Sequence, residues 1–188
     1  MPAGNASESG DEELVVYDLA PDCTVDDVEV SARPVRRVYE AWERSGGRHG
    51  RRGSDDMAAI HPELLVFSPR GKSGRLHFVE VGRKAALARF LGRGWAKAVL
   101  GKPYDRGQSD LEYENRVTSG YAEVMRTGEP RLDQIRGIIR PDDGDPVWVA
   151  YQRLLIRSYE ADGSPCLACY SYPTQDLSIP FPAALPGR

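Results

Sequence analysis

Hydrophobic positions near residue 40 recur with the period of a helix. Pro34 suits a first helical turn, and Gly46 with Gly47 predicts its end. Four apolar residues fall at i, i+3, i+4 and i+7 and form one stripe: Val35, Val38, Tyr39 and Trp42. The pattern predicts an amphipathic helix near the N-terminus.

The pattern then changes to short apolar runs. Residues 64–67 and 75–81, joined by a turn at 68–71, predict a β-hairpin. Three further runs predict strands at 132–139, 147–157 and 166–172. Turn-forming residues at 141–146 and 160–165 separate these three strands at hairpin length, which predicts an antiparallel meander.

Helical patterns lie between the two groups of strands. Residues 83–91 predict a short helix closed by Gly92, with a loop-rich stretch over 92–107. A longer helix stops at Gly128 and carries one apolar face: Tyr113, Val117, Tyr121 and Val124. The order predicts an α+β fold. Its five-stranded antiparallel sheet has a helical insert between strands 2 and 3, and an amphipathic helix precedes it.

Composition fits one folded domain without a membrane span. The chain has 188 residues, 40% of them hydrophobic, and its apolar runs fall far short of the roughly 20 residues that a spanning helix needs. Three cysteines, an odd number, argue against a disulfide framework. No secretory signal is visible in the first residues. We therefore expect a soluble, cytoplasmic protein.

Charge divides the chain into segments. Residues 1–32 hold nine acidic and no basic residues, which predicts a flexible acidic leader. Residues 33–53, the helix with an Arg/Gly-rich linker, hold seven arginines. The folded domain is predicted over 54–175, and a proline-rich extended tail over 176–188.

The basic segment from Arg44 to Arg52 has two interpretations. Clustered arginines can displace counterions from phosphates, which predicts a nucleic-acid-associated regulator. The alternative is a solvated helix face and loop, balanced by the acidic leader. No aromatic residue alternates with Arg48, Arg51 and Arg52, so a stacking platform for single strands is missing.

Several short motifs resemble those of a bacterial family of stand-alone PAS-like domains, over roughly residues 54–175. They are His61-Pro62-Glu63-Leu64-Leu65, Gly92-Arg93-Gly94-Trp95, Gly128-Glu129-Pro130 and Trp148 to Leu155. The resemblance implies a non-catalytic sensory or regulatory domain. It further implies a small molecule or cofactor between the sheet and the inserted helices, a signalling protein partner, and a homodimer formed through an N-terminal helix. The dimer candidates are Val35, Val38, Tyr39 and Trp42.

Aromatic residues supply the candidate pocket. Aromatic walls with a few hydroxyl groups suit small-molecule sites, although bulky side chains also simply fill cores. The candidate lining residues are Phe90, Trp95, Tyr113, Tyr121, Trp148 and Tyr170.

Cofactor and metal signatures are absent from the sequence. Residues 83–128 contain neither histidine nor cysteine, which disfavours haem and covalent flavin as this family of folds binds them, and the cofactor stays unknown. Cys166 and Cys169 form a C-x-x-C motif on a predicted strand, where this spacing directs the two sulfurs to opposite faces. We expect no metal site.

A small enzyme of the cone-shaped α+β type, as in isomerases and cyclases, is the catalytic alternative. Such folds position an acid–base pair in a pocket, and His77 and Asp133 are the candidates here. Nothing in the sequence places these two residues together, so we expect no enzymatic activity.

Overall fold

The computed structural model of the chain describes residues 33–47, 55–70, 75–104, 111–139 and 147–175. The acidic leader, the linker arginines and the proline-rich tail of the sequence analysis lie outside these ranges. In chain order the elements are α1 (Arg33–Arg44), α2 (Asp55–Ile60), a 3-10 turn (His61–Glu63), β1 (Leu64–Arg70), β2 (Arg75–Val81), α3 (Ala86–Val99), α4 (Leu111–Thr127), β3 (Arg131–Ile139), β4 (Val147–Tyr159) and β5 (Pro165–Pro173).

The five strands form one antiparallel sheet in the order β2-β1-β5-β4-β3. This confirms the α+β class and the five-stranded antiparallel sheet. The strand bounds follow the alternating apolar runs closely, and β2 begins and ends at the predicted residues. β5 lies at the centre because it pairs with both β1 and β4.

Helices cover both faces of this sheet. One face, the N-terminal face, packs against α1 and α2 and buries residues such as Leu64, Leu154 and Ile156. The opposite face, the insert face, packs against α3 and α4 and buries Leu155 and Leu167. Alternation along each strand therefore places neighbouring residues in two separate cores.

The apolar stripe of α1 packs on the sheet of its own chain. Val35 and Val38 are fully buried, and Tyr39 and Trp42 pack against the same core. The indole Nε1 of Trp42 donates a hydrogen bond of 2.8 Å to the carbonyl oxygen of Arg157 in β4. The four residues predicted as a dimer contact thus pack against the sheet of their own chain, and their part in a dimer stays a prediction.

The first helix of the insert is longer than predicted. Gly92 interrupts α3 with φ of 85° and ψ of 172°, a backbone conformation that glycine adopts readily. The helix resumes after it, where a loop was expected, because Trp95 and Val99 pack against the insert-face core. α4 ends where predicted, at Gly128 with φ of 81°.

Candidate functional site

A chain of charged groups runs along the insert face of the sheet. Asp133 of β3 lies directly opposite Arg153 of β4. Nε of Arg153 donates a 3.0 Å hydrogen bond to Oδ2 of Asp133, and Nη2 donates to the same oxygen. The other carboxylate oxygen, Oδ1, accepts a 2.7 Å hydrogen bond from Nε of Arg131. Both oxygens of Asp133 are therefore occupied by guanidinium groups.

The same chain of charges continues into α4. Nη1 of Arg131 donates a 2.8 Å hydrogen bond to Oε2 of Glu123. Gly120 makes room for this arginine, because a Cβ at Gly120 would lie 2.9 Å from Nε of Arg131. The series Glu123, Arg131, Asp133, Arg153 thus links the long helix of the insert to two adjacent strands.

One buried nitrogen of Arg153, Nη1, takes no part in the bonds to Asp133. The residue is only 2% exposed, and its Nη1 has no hydrogen-bond acceptor among the residues that the structure describes. The guanidinium carbon lies 5.2 Å from the ring centre of Tyr121, a cation–π distance. Burial acts to lower the pKa of Arg153, but Tyr121 and Asp133 more than offset it, so the group stays charged.

Two further polar groups beside Arg153 are held in their protonated form. Burial raises the pKa of the Tyr121 phenol well above its ordinary value. Burial likewise raises the pKa of the Cys169 thiol. At neutral pH this part of the insert face therefore presents a guanidinium, a phenol and a thiol around the single carboxylate of Asp133.

Aromatic rings surround this polar group. Tyr121 lies 5.6 Å from both Phe67 and Tyr104, measured between ring centres. Phe78 lies 4.8 Å from Phe67 and 5.8 Å from Trp95, the latter edge to face. The polar chain and these rings together form the candidate site on the insert face.

The structure brings only part of the predicted aromatic set together. Trp95 and Tyr121 belong to the insert-face cluster. Tyr170 belongs to the opposite, N-terminal face, because it follows Cys169 on β5 and successive strand residues alternate. Phe90 is 42% exposed on α3. The side chains of Tyr113 and Trp148 lie outside the described part of the molecule.

Three aromatic residues of the cluster were not predicted, namely Phe67, Phe78 and Tyr104. Arg153 was also missed as a site residue. The usable signal was Arg153 itself, a charged residue directly before the apolar residues 154–156 of β4, since charged residues are almost never buried without a partner.

The two cysteines of the C-x-x-C motif lie on opposite faces of the sheet, as predicted. Cys166 belongs to the N-terminal-face core and Cys169 to the insert-face core, and both thiols are free.

Within the described ranges, no cluster of histidine, cysteine and acidic residues is arranged to hold a metal ion. In the same ranges, no helix has the length and apolar character required to cross a bilayer.

The candidate acid–base pair is not brought together. His77 lies on β2 and Asp133 on β3, the two opposite edge strands of the sheet. Nδ1 of His77 lies 3.1 Å from the carbonyl oxygen of Gly101, whereas Asp133 is bonded to two arginines.

The described residue of the basic segment, Arg44, is engaged in local ion pairs. Its Nε lies 2.8 Å from the carboxylate of Asp56, and its Nη1 lies 3.8 Å from that of Glu40. These contacts are those of a solvated helix face. The linker arginines Arg48, Arg51 and Arg52 lie outside the described residues.

Comparison of the chain with protein-family models, with curated proteins and with solved structures gives no match. The geometry of the insert face is therefore the basis for the functional proposal.

Proposed function

We propose that this chain is a PAS-like regulatory domain that binds a small molecule on the insert face, with Arg153 as the anchoring residue. The observation that carries the proposal is the buried Nη1 of Arg153, which has no acceptor among the described residues. The element order, with α3 and α4 following two strands and preceding three, agrees with the PAS resemblance.

An unsatisfied buried donor is costly to a fold. Leaving such a group without a partner costs about 1–3 kcal/mol, and more when the group is charged. Asp133 does not supply the missing acceptor, because it accepts from Nε and Nη2 of Arg153 and Nη1 is left over. An oxygen atom of a bound molecule would satisfy the donor and recover this free energy.

The surroundings of Arg153 indicate the chemistry of such a ligand. The neighbouring rings of Phe67, Tyr104 and Tyr121 favour a planar, unsaturated body. Arg153 is already neutralised by Asp133, so the anchoring atom need only be an acceptor, such as a carbonyl oxygen. We therefore propose an aromatic small molecule that carries a carbonyl or carboxylate oxygen.

A regulatory output follows from the connections of the site. Glu123 of α4 and Asp133 of β3 are joined through Arg131, so a ligand at Arg153 would act on the helix through this chain of charges. Occupancy of the site would thereby stabilise one position of α4 over others. A protein partner that contacts α4 could respond to that difference.

The test is the mass of the purified protein under native and denaturing conditions, followed by a thermal-shift screen of aromatic carbonyl compounds. We expect a bound mass that denaturation releases, or a ligand that raises the melting temperature. The double variant Asp133→Leu with Arg153→Met removes the anchor without stranding a buried carboxylate and should abolish either signal, whereas the exposed Arg89→Met should not. If native and denatured masses agree and no compound stabilises the protein, the proposal fails.

A further inference from the structure

A concave site lies at the end of β4, beside the glycine that ends α4. It is a cleft of about 400 Å3 between the last turn of α1, the segment joining α4 to β3, and the end of β4. Its aromatic walls are Tyr39, Trp42 and Tyr159, and its charged walls are Glu43 and Arg157. The residues of the Arg153 site do not line it.

The cleft exists because β3 is shorter than β4 at this end. β3 begins at Arg131, opposite Leu155, whereas β4 continues to Tyr159. The turn after α1 takes the place that a longer β3 would occupy beside β4. The amide of Tyr159 donates a 3.0 Å hydrogen bond to the carbonyl oxygen of Gly47 in this turn. The Trp42 indole also donates a hydrogen bond to the carbonyl oxygen of Arg157. The two contacts together fix the end of α1 against β4, and thereby the walls of the cleft.

The two charged walls have opposite signs, and neither forms an ion pair within the described residues. The exposed Glu43 accepts only a 3.4 Å hydrogen bond from the hydroxyl of Tyr39. The guanidinium of Arg157 lies 5.9 Å from the ring centre of Tyr159 and donates a 3.4 Å hydrogen bond to the carbonyl oxygen of Met125. One carboxylate and one guanidinium are thus both available to a molecule in the cleft.

We infer that this cleft binds a small zwitterion of the amino-acid class, with an ammonium and a carboxylate group in one molecule. Arg157 presents the planar donor geometry that matches a carboxylate. Glu43 accepts from the ammonium group, which the faces of Tyr39 and Trp42 also attract. A molecule with only one charge would leave one of the two walls without its partner.

The size of the cleft suits such a ligand. A volume of about 400 Å3 falls at the lower end of the range for small-molecule sites, roughly 300–1000 Å3. Because Glu43 and Arg157 belong to α1 and β4, a ligand that joins them would strengthen the docking of the N-terminal helix on the sheet.

Isothermal titration calorimetry on the full chain tests the inference with a series of unbranched amino acids, from glycine to aminohexanoate. An alkylamine and a carboxylate of matched length are the singly charged controls. We expect one or more zwitterions to bind and the singly charged compounds to bind at least about tenfold more weakly, the loss of one charge-assisted contact. Binding of the amine or the carboxylate with equal affinity would overturn the inference, as would absence of binding by the whole series at millimolar concentration.

A matched pair of variants on α1 locates the binding. Glu43→Gln removes the carboxylate that lines the cleft and is expected to weaken zwitterion binding about tenfold. Glu40→Gln, one turn earlier and outside the cleft, should leave the affinity unchanged. Equal affinities for the wild-type chain and Glu43→Gln would refute the assignment.

Discussion

Arg153 and Asp133 face each other across the β3–β4 pair, and two nitrogens of the guanidinium donate to one oxygen of the carboxylate. Their exposed fractions are 2% and 5%. Buried charges of this kind stabilise a fold only in each other's presence, because removal of one leaves the other uncompensated in a medium of low polarity.

Substitution of Asp133 should therefore be more harmful than removal of the whole pair. Asp133→Leu is expected to lower the free energy of unfolding by about 3–5 kcal/mol, since it strands a buried guanidinium. The double variant Asp133→Leu with Arg153→Met should recover much of this loss. Urea unfolding of the single and double variants measures the coupling. Strictly additive effects would show that the two residues do not compensate each other.

Gly82, which follows β2, should tolerate no side chain. A Cβ at this position would lie 2.7 Å from the carbonyl oxygen of Leu64 and closer still to that of Pro62, both of them backbone atoms. We expect Gly82→Ala to lower the melting temperature markedly, because backbone atoms would have to move.

Gly94 in α3 is the matched control. A Cβ there meets nothing within 4 Å, so Gly94→Ala should stabilise the helix by up to about 1 kcal/mol. Equal effects of the two substitutions would contradict the packing described at Gly82.

The packing of α1 on its own sheet predicts a loss of stability without a change of mass. Val38→Ala removes two buried methyl groups and is expected to lower the free energy of unfolding by about 2 kcal/mol. The molecular mass in solution should stay that of the wild-type chain, and the exposed Glu40→Ala serves as the control for the helix itself. A variant that lost self-association but kept its stability would instead support the prediction that this stripe is a dimer contact.

Alkaline pH should weaken the N-terminal-face core. Burial raises the pKa of the Cys166 thiol from 9.0 to about 12, and that of the Tyr170 phenol from 10.0 to about 12. Because both folded-state values lie above the unfolded ones, their contribution to stability is complete below about pH 9 and is lost as the pH rises toward 12.

Denaturant unfolding between neutral and strongly alkaline pH measures this loss. The free energy of unfolding is expected to fall across that range. Cys166→Ala should remove the decrease that begins near pH 9, because the thiol has the lower unfolded-state pKa of the two groups. A profile that stays level up to pH 12 would contradict the burial of both groups.

Local patterns in the sequence predicted the elements well. The strands alternate clearly enough that β2 has its predicted bounds, and the same alternation placed Cys166 and Cys169 on opposite faces. The second half of α3 could not be predicted from Gly92, since a glycine with positive φ looks the same in sequence whether a helix ends there or resumes. The packing of Trp95 decides the outcome.

The candidate site depended on register, which the sequence does not contain. That Asp133 meets Arg153 follows from the pairing of β3 with β4 and cannot be read from either strand alone. The position of Tyr170, in contrast, could be predicted from the sequence. It follows Cys169 on β5, and alternation along the strand assigns it to the N-terminal face. Applied consistently along β5, that rule would have removed Tyr170 from the predicted pocket.

The short β3 has a consequence for the solubility of the fold. Beyond Leu155 the backbone of β4 forms an open strand edge, and such edges invite pairing with strands of other molecules. Trp42 of α1 and Gly47 of the turn that follows it occupy this edge. The N-terminal helix therefore protects this strand edge from pairing with other molecules, in addition to covering one face of the core. A chain that lacks residues 33–47 should form β-rich aggregates that bind thioflavin T.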